Sequence, residues 1–136
     1  MTEIQSLARG LAILEKLAEA QDGLGVTELA QEFGVDKGSM SRLVRTLANY
    51  GFAEKDSDTR RYTLGPQIVR LSRAAITRMT LRDTAKPYLR QLVESTGECA
   101  HLAIVAQGQA LYIDQVESSA TLRVSTGVGT ILGAEI

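Results

Sequence analysis

The sequence predicts an α+β chain: three N-terminal helices with a two-stranded hairpin, a connecting helix, then a second unit with antiparallel strands. Three observations carry this expectation. The run Ala30-x3-Gly34-x5-Met40-x2-Leu43 combines a small residue, a glycine and an apolar pair at the offsets two steeply crossed helices need. Behind it, residues 52–56 and 61–64 are short extended runs joined by the turn-rich Ser57, Asp58 and Thr59. Farther on, the apolar runs 99–106 and 110–117 read as strands meeting at a turn of Gln107, Gly108 and Gln109.

Taken in order, the first element is an amphipathic helix from about Ile4 to Ala20, marked by Leu7, Leu11, Leu14 and Ala18. Gln21, Asp22, Gly23 and Gly25 end it. A short helix follows, its buried face set by Leu29, Ala30 and Phe33. Gly34 then supplies the left-handed residue of a tight interhelical turn, because it has no Cβ to clash. Met40, Leu43, Val44 and Leu47 recur at i, i+3, i+4 and i+7 and form the buried stripe of the next helix, which Gly51 stops after Asn49 and Tyr50. A two-stranded hairpin is marginal by itself, so Phe52, Tyr62 and Leu64 are expected to pack it onto the helices. Residues 1–65 thus read as a winged helix-turn-helix, about 65 residues being enough for a small independent core.

The outward face of the helix after Gly34 carries Gly38, Arg42, Arg45 and Asn49, flanked by Ser39, Ser41 and Thr46, with no carboxylate among them. Arginine binds guanine O6 and N7 through its forked donors, asparagine pairs with adenine, and hydroxyls contact bases or phosphates. Composition alone would make this an ordinary solvated face; its place on the second helix of this motif points to DNA. The whole chain has formal charge −1, which by itself argues against a nucleic-acid partner. The distribution argues the other way. Residues 3–36 hold seven acids against Arg9 and Lys16, whereas residues 37–61 hold six bases, among them Lys37, Lys55, Arg60 and Arg61, against Glu54, Asp56 and Asp58. A local basic patch on a near-neutral chain suits a specific dock. On the wing, Lys55, Arg60 and Arg61 are expected near the tip, placed for phosphate or minor-groove contact.

Residues 66–79 form the connecting helix, with Ile68, Leu71, Ser72, Ala75 and Ile76 on one face and Arg70, Arg73 and Arg78 without an acid. Its apolar stripe needs a partner, either the first unit or a second copy. Thr80 and Asp83 resemble a capping box, with Asp in place of the usual Glu or Gln, opening a helix that ends near Gly97. Pro87 lies inside that run and is expected to bend or break it. Strands at 99–106, 110–117 and 121–125 follow, the first two apolar on both faces and therefore requiring cover.

These motifs resemble the IclR-type bacterial transcription regulators from about Gln5 to Thr130. The likeness includes SerLeuAlaArgGlyLeuAlaIleLeu (6–14), ValThrGluLeuAla (26–30), LysGlySerMetSerArgLeuValArgThrLeu (37–47) and TyrThrLeuGly (62–65). It continues through LeuArgAspThrAlaLysProTyrLeu (81–89), ThrGlyGluCysAlaHisLeuAla (96–103) and AspGlnValGluSer (114–118). The resemblance implies a winged helix that binds double-stranded operator DNA as a homodimer, and a GAF-like α/β domain for a small-molecule effector. It implies major-groove reading by Ser39, Ser41, Arg42, Arg45 and Thr46, beside the basic Lys37. Lys55, Arg60 and Arg61 would be wing contacts, and Gln5 and Arg9 would hold the phosphate backbone. The family commonly has proline where Pro87 stands, which makes the kink an expected one. Family members continue for roughly another hundred residues of effector domain after the third strand. Residues 80–136 are therefore expected to be its N-terminal part, with an incomplete pocket, compromised sensing and no assignable effector residue.

No catalytic, cofactor or metal residue is assigned. Cys99 and His101 are the only cysteine and histidine and could share one strand face, but a zinc site needs two more ligands. A cysteine–histidine nucleophile pair would lack an orienting group. One thiol excludes an intrachain disulfide and, with no leader-like N-terminus and no apolar run near the ~20 residues of a membrane span, suits a bacterial cytoplasmic protein. Two further readings are a winged helix used for protein association without specific DNA binding, and small-molecule sensing by the shortened C-terminal unit.

Overall fold

In the computed structural model, which describes residues 2–118, 128, 129, 131 and 132, the first helix, α1 (Gln5–Glu19), buries Ile13 and Leu17. This corrects the expected face: Leu7 and Leu11 are 61% and 57% exposed, and Ala18 is exposed as well. Ile13 and Leu17 lie one turn apart on a second apolar stripe. Two stripes on one helix leave the choice of buried face to its neighbours.

Those neighbours are α2 (Val26–Phe33) and α3 (Lys37–Asn49). At the start of α2 the Glu28 carboxylate accepts from the Gly25 amide at 3.3 Å. Gly34 ends α2 in the left-handed region, with φ 63°. Asp36 caps α3, accepting from the Ser39 amide at 2.9 Å. The core joins Ile13, Leu17, Leu29, Ala30, Met40 and Val44 to Ala53 and Tyr62 of the hairpin. Ile13, Leu29, Met40 and Val44 are wholly inaccessible, each contributing about 1.5–3 kcal/mol by leaving water.

The hairpin pairs β1 (Ala53–Lys55) with β2 (Tyr62–Leu64), antiparallel, in the register Ala53↔Leu64, Glu54↔Thr63 and Lys55↔Tyr62. Tyr62 anchors it in the core and Leu64 packs against the core, as expected, but Ala53 takes the place foreseen for Phe52. Leu24 adds a further rung, exchanging backbone hydrogen bonds with Tyr62 at 3.0 and 2.8 Å. Beyond the hairpin, α4 (Pro66–Thr77) buries no residue, and Val69 and Leu71 on it are exposed. Its start is fixed by close backbone packing, with Gly65 donating to Phe52 O and Gln67 to Gly51 O, both at 2.9 Å.

The chain divides within α4 into two compact units, Met1–Arg73 and Ala74–Ile136. In the second, α5 (Thr80–Thr96) lies against β3 (Ala100–Ala106) and β4 (Gln109–Val116), and β5 (Ile131–Leu132) pairs with β4. Thr80 is already the first helical residue and Met79 is the N-cap, so the expected capping box does not form. Pro87 leaves α5 unbroken, and Gly97 closes it at φ 72°. The β3–β4 loop is a tight two-residue one: Gln107 and Gly108 have φ 51° and 74°, the pattern of a hairpin turn with left-handed residues at both positions. The expected strand at 121–125 lies outside the described residues, and β5 was not anticipated. α5 supplies part of the cover the strands need, while Val105 of β3 stays 63% exposed. Among the described residues no helix is long and apolar enough to cross a membrane.

Asp114 of β4 is only 3% exposed. Lys86 Nζ stands 2.7 Å and an Arg82 guanidinium nitrogen 3.5 Å from its carboxylate. Burial alone would push this carboxyl up; the Lys86 bond, the Gln115 amide and the charges of Lys86 and Arg82 outweigh it and hold the pKa below the usual range. Asp114→Ala should therefore destabilise the second unit by about 1–3 kcal/mol, read as faster amide exchange in β3 and β4. In the first unit, a Cβ at Gly65 would fall on the backbone of Gly51. Gly65→Ala should cost about 1–3 kcal/mol in denaturant unfolding. Gly10→Ala, which meets nothing within 4 Å, should stabilise α1 by about 0.5–1 kcal/mol.

Candidate nucleic-acid interface

Burial of Met40 and Val44 fixes the rotation of α3 about its axis. At roughly 100° per residue, the opposite face must then look outward, and Gly38, Arg42, Arg45 and Asn49 are all exposed. Among the described residues no ion pair engages Lys37, Arg42, Arg45 or Arg60. Gly38 also leaves room for the cap, since a Cβ there would approach Asp36 Oδ2 to 3.1 Å.

The hydroxyls are less free than the sequence suggests. Ser39 Oγ donates to Asp36 Oδ1 at 2.7 Å, and Thr46 Oγ1 donates to the Arg42 carbonyl at 2.7 Å. With their protons spent inside the helix, both oxygens can still accept, for example from a base amino group, but cannot donate to a phosphate. Ser41 is half-buried. The Ser39 hydroxyl, and then its amide, hold the Asp36 carboxyl below its ordinary pKa.

A groove of about 690 Å³ runs between α1 and α3, lined by Arg9, Leu7, Leu11 and Leu14 on one side and by Arg42, Leu43, Thr46 and Leu47 on the other. Arg9 and Arg42 thus line the same groove from its two sides. Gln5 opens α1 and is exposed, but does not line this groove.

On the wing, Asp56 Oδ1 accepts from the amides of Asp58 at 2.8 Å and Thr59 at 3.0 Å, and these bonds depress the Asp56 pKa, Thr59 more than Asp58. Arg60 completes the turn at φ 61° and is exposed. Lys55 Nζ lies 5.7 Å from the Tyr62 ring centroid. Arg61 departs from its expected place at the tip. Its guanidinium reaches back, donating to the Gly23 carbonyl at 3.0 Å and standing 3.4 Å from Glu28 Oε1.

Asp36, Asp56 and Glu28 organise this surface, yet none had been singled out from the sequence. The signals were present: Asp36 stands three residues before Ser39 at a helix start, and Asp56 opens a turn of Ser57, Asp58 and Thr59. Elsewhere, Cys99 and His101 each have a partner of their own. The Cys99 sulfur accepts from the Ser118 amide at 3.4 Å, while the His101 ring packs 5.1 Å from that of Tyr112. Among the described residues no group of metal-ligating side chains converges.

Depressed carboxyl values fix a sign. The bonds of Asp36 and Asp56 contribute fully above the ordinary value of about 3.8 and are lost as pH falls below it through the lower folded values. Acid titration followed by amide exchange should loosen the start of α3 and the wing turn in that window, and Asp36→Asn should remove the first of these effects.

Comparison with known proteins agrees with this geometry. Residues 6–57 match the IclR helix-turn-helix domain, and residues 73–134 match the C-terminal domain of bacterial transcriptional regulators of the IclR type. The chain is 38% identical over 127 residues to the HTH-type transcriptional regulator BhcR of Paracoccus denitrificans, covering 93% of this chain and 45% of that protein. It is 33% identical over 129 residues to the acetate operon repressor of Salmonella typhimurium, covering 93% and 47%. A crystal structure of an IclR-family transcriptional regulator from Brucella abortus superposes with a TM-score of 0.81 at 28% identity, over 96% of this chain and 49% of that one. The chain thus spans about half the length of the curated relatives it matches. With matches to both domains in the order the family has them, this chain belongs to the IclR family of transcriptional regulators.

Proposed function

We propose that the chain is a sequence-specific regulator that binds double-stranded DNA as a homodimer through residues 37–50 and the wing, 52–64. The observation that carries this reading is the exposed Arg42 and Arg45, without an ion pair among the described residues, on an outward face of α3 whose rotation the core fixes. Similarity to regulators such as the acetate operon repressor of Salmonella typhimurium supports a role in transcription. Two copies of α3 would enter successive major grooves about 34 Å apart on a pseudopalindromic site. Arg42 and Arg45 contact bases or phosphates, with Ser39, Ser41 and Thr46 as accepting or short-range partners. Lys37, Lys55 and Arg60 contribute phosphate attraction, and Gln5 and Arg9 approach the backbone from α1. Leu7 and Leu11, exposed along one stripe of α1, with Ile4 at its N-cap, support self-association.

That same stripe favours one competing reading, a winged helix used only for protein association. The two differ in salt dependence, since DNA binding falls with a log–log slope of about −0.9 per neutralised phosphate. Selection from random duplexes should return sites with two related halves. Arg45→Ala should then cost about 1–3 kcal/mol and relax preference at one position if it reads a guanine, or weaken all sequences alike with a shallower salt slope if it binds phosphate. Undiminished binding by a chain carrying both Arg42→Ala and Arg45→Ala would reject the assignment.

A further inference from the structure

We infer that Arg61 is a positioning residue of the wing rather than a DNA contact: its guanidinium ties β2 to the α1–α2 turn and to the first turn of α2. Its consequence for DNA rests on the reading proposed above; the anchor itself does not. One guanidinium nitrogen donates to Gly23 O at 3.0 Å and the other stands 3.4 Å from Glu28 Oε1. Glu28 in turn accepts from the Gly25 amide at 3.3 Å. A single side chain thus links the turn, the second helix and the hairpin.

The surroundings agree with an anchor and not with a phosphate ligand. Arg61 shares its hollow with Asp22, Glu54 and Asp56 as well as Lys55, so carboxylates outnumber the cations there and disfavour a phosphate. The backbone beneath is built for close approach. Leu24 and Tyr62 exchange hydrogen bonds at 3.0 and 2.8 Å, and a Cβ on Gly23 would come within 2.7 Å of Tyr62 O. Strands of three residues hold a hairpin weakly, so its side-chain tether sets where Lys55 and Arg60 stand. A lysine is a poor replacement, because its donors sit on a single nitrogen and do not span the two acceptors that the separate Nη1 and Nη2 of the guanidinium reach.

The test uses the full chain with Arg61→Ala, Arg61→Lys, Glu28→Gln and Arg61→Ala combined with Glu28→Gln. Amide exchange at Leu24 and Tyr62 is measured without DNA, and binding to a mixed-sequence duplex is measured over a range of salt. An anchor predicts faster exchange at both amides in every variant. It also predicts about five- to tenfold weaker DNA binding for Glu28→Gln as well as for Arg61→Ala, with the double variant no worse than Arg61→Ala. A phosphate contact predicts the reverse for Glu28→Gln, since removing a negative charge would leave binding unchanged or tighter. Rescue by Arg61→Lys, or a salt slope reduced by about one in Arg61→Ala alone, with unchanged exchange, would overturn the inference. Absence of binding by the unsubstituted chain would instead count against the DNA reading, leaving exchange at Leu24 and Tyr62 to decide the anchor.

Discussion

Met40 and Val44 sit at the centre of the first unit with no accessible surface, against Ile13, Leu29 and their neighbours. Their burial does two things at once. It supplies much of the apolar free energy that holds three short helices together, and it fixes the azimuth of α3. A helix free to roll by one residue step would turn Arg42 or Arg45 by roughly 100° and change what either could reach. The outward chemistry of α3 is therefore a consequence of its inward packing. Caps refine this: Gly34 sets the angle of entry through its left-handed backbone, and Asp36 secures the first turn of α3.

The hairpin depends on the same core through fewer contacts. Ala53 and Tyr62 reach into it, Leu24 adds a backbone rung, and Arg61, next to β2, ties the hairpin to α2. A structure attached in this way has a defined position but little stability of its own. The wing turn is held by bonds from backbone amides to Asp56, with Arg60 in a backbone region that asparagine or glycine would occupy more easily. Exposure of Arg60 therefore rests on the turn around it being made.

Most of this was legible in the sequence, and the failures have physical causes. The stripe Met40, Leu43, Val44 and Leu47 was readable because α3 has one apolar face. α1 has two, and periodicity cannot say which one its neighbours cover; Ile13 and Leu17 were overlooked for Leu7 and Leu11. Phe52 was expected to pack the hairpin onto the helices, yet it precedes β1 and is only half-buried, while Ala53, the first residue of β1, is the one in the core. Arg61 looked like a tip residue from its place in the chain. Its partners, Gly23 and Glu28, lie more than thirty positions earlier in the sequence, and no local pattern connects them. The spending of the Ser39 and Thr46 protons within α3 depends on bond geometry that residue types do not reveal.

Charge shows how a chain of formal charge −1 presents a positive surface. Several of its acids are engaged. Glu32 holds Lys16, whose pKa it raises through their hydrogen bond; Glu28 holds Arg61, and Asp114 faces Lys86 and Arg82. Asp36 and Asp56 are turned toward amides of their own turns. Lys37, Arg42, Arg45 and Arg60 are left without such partners among the described residues. At physiological ionic strength charges act over about 8 Å, so acids elsewhere on the surface do little to cancel these four. The potential an approaching anion meets is set by which cations the fold leaves unpaired, and net charge is a poor guide to it.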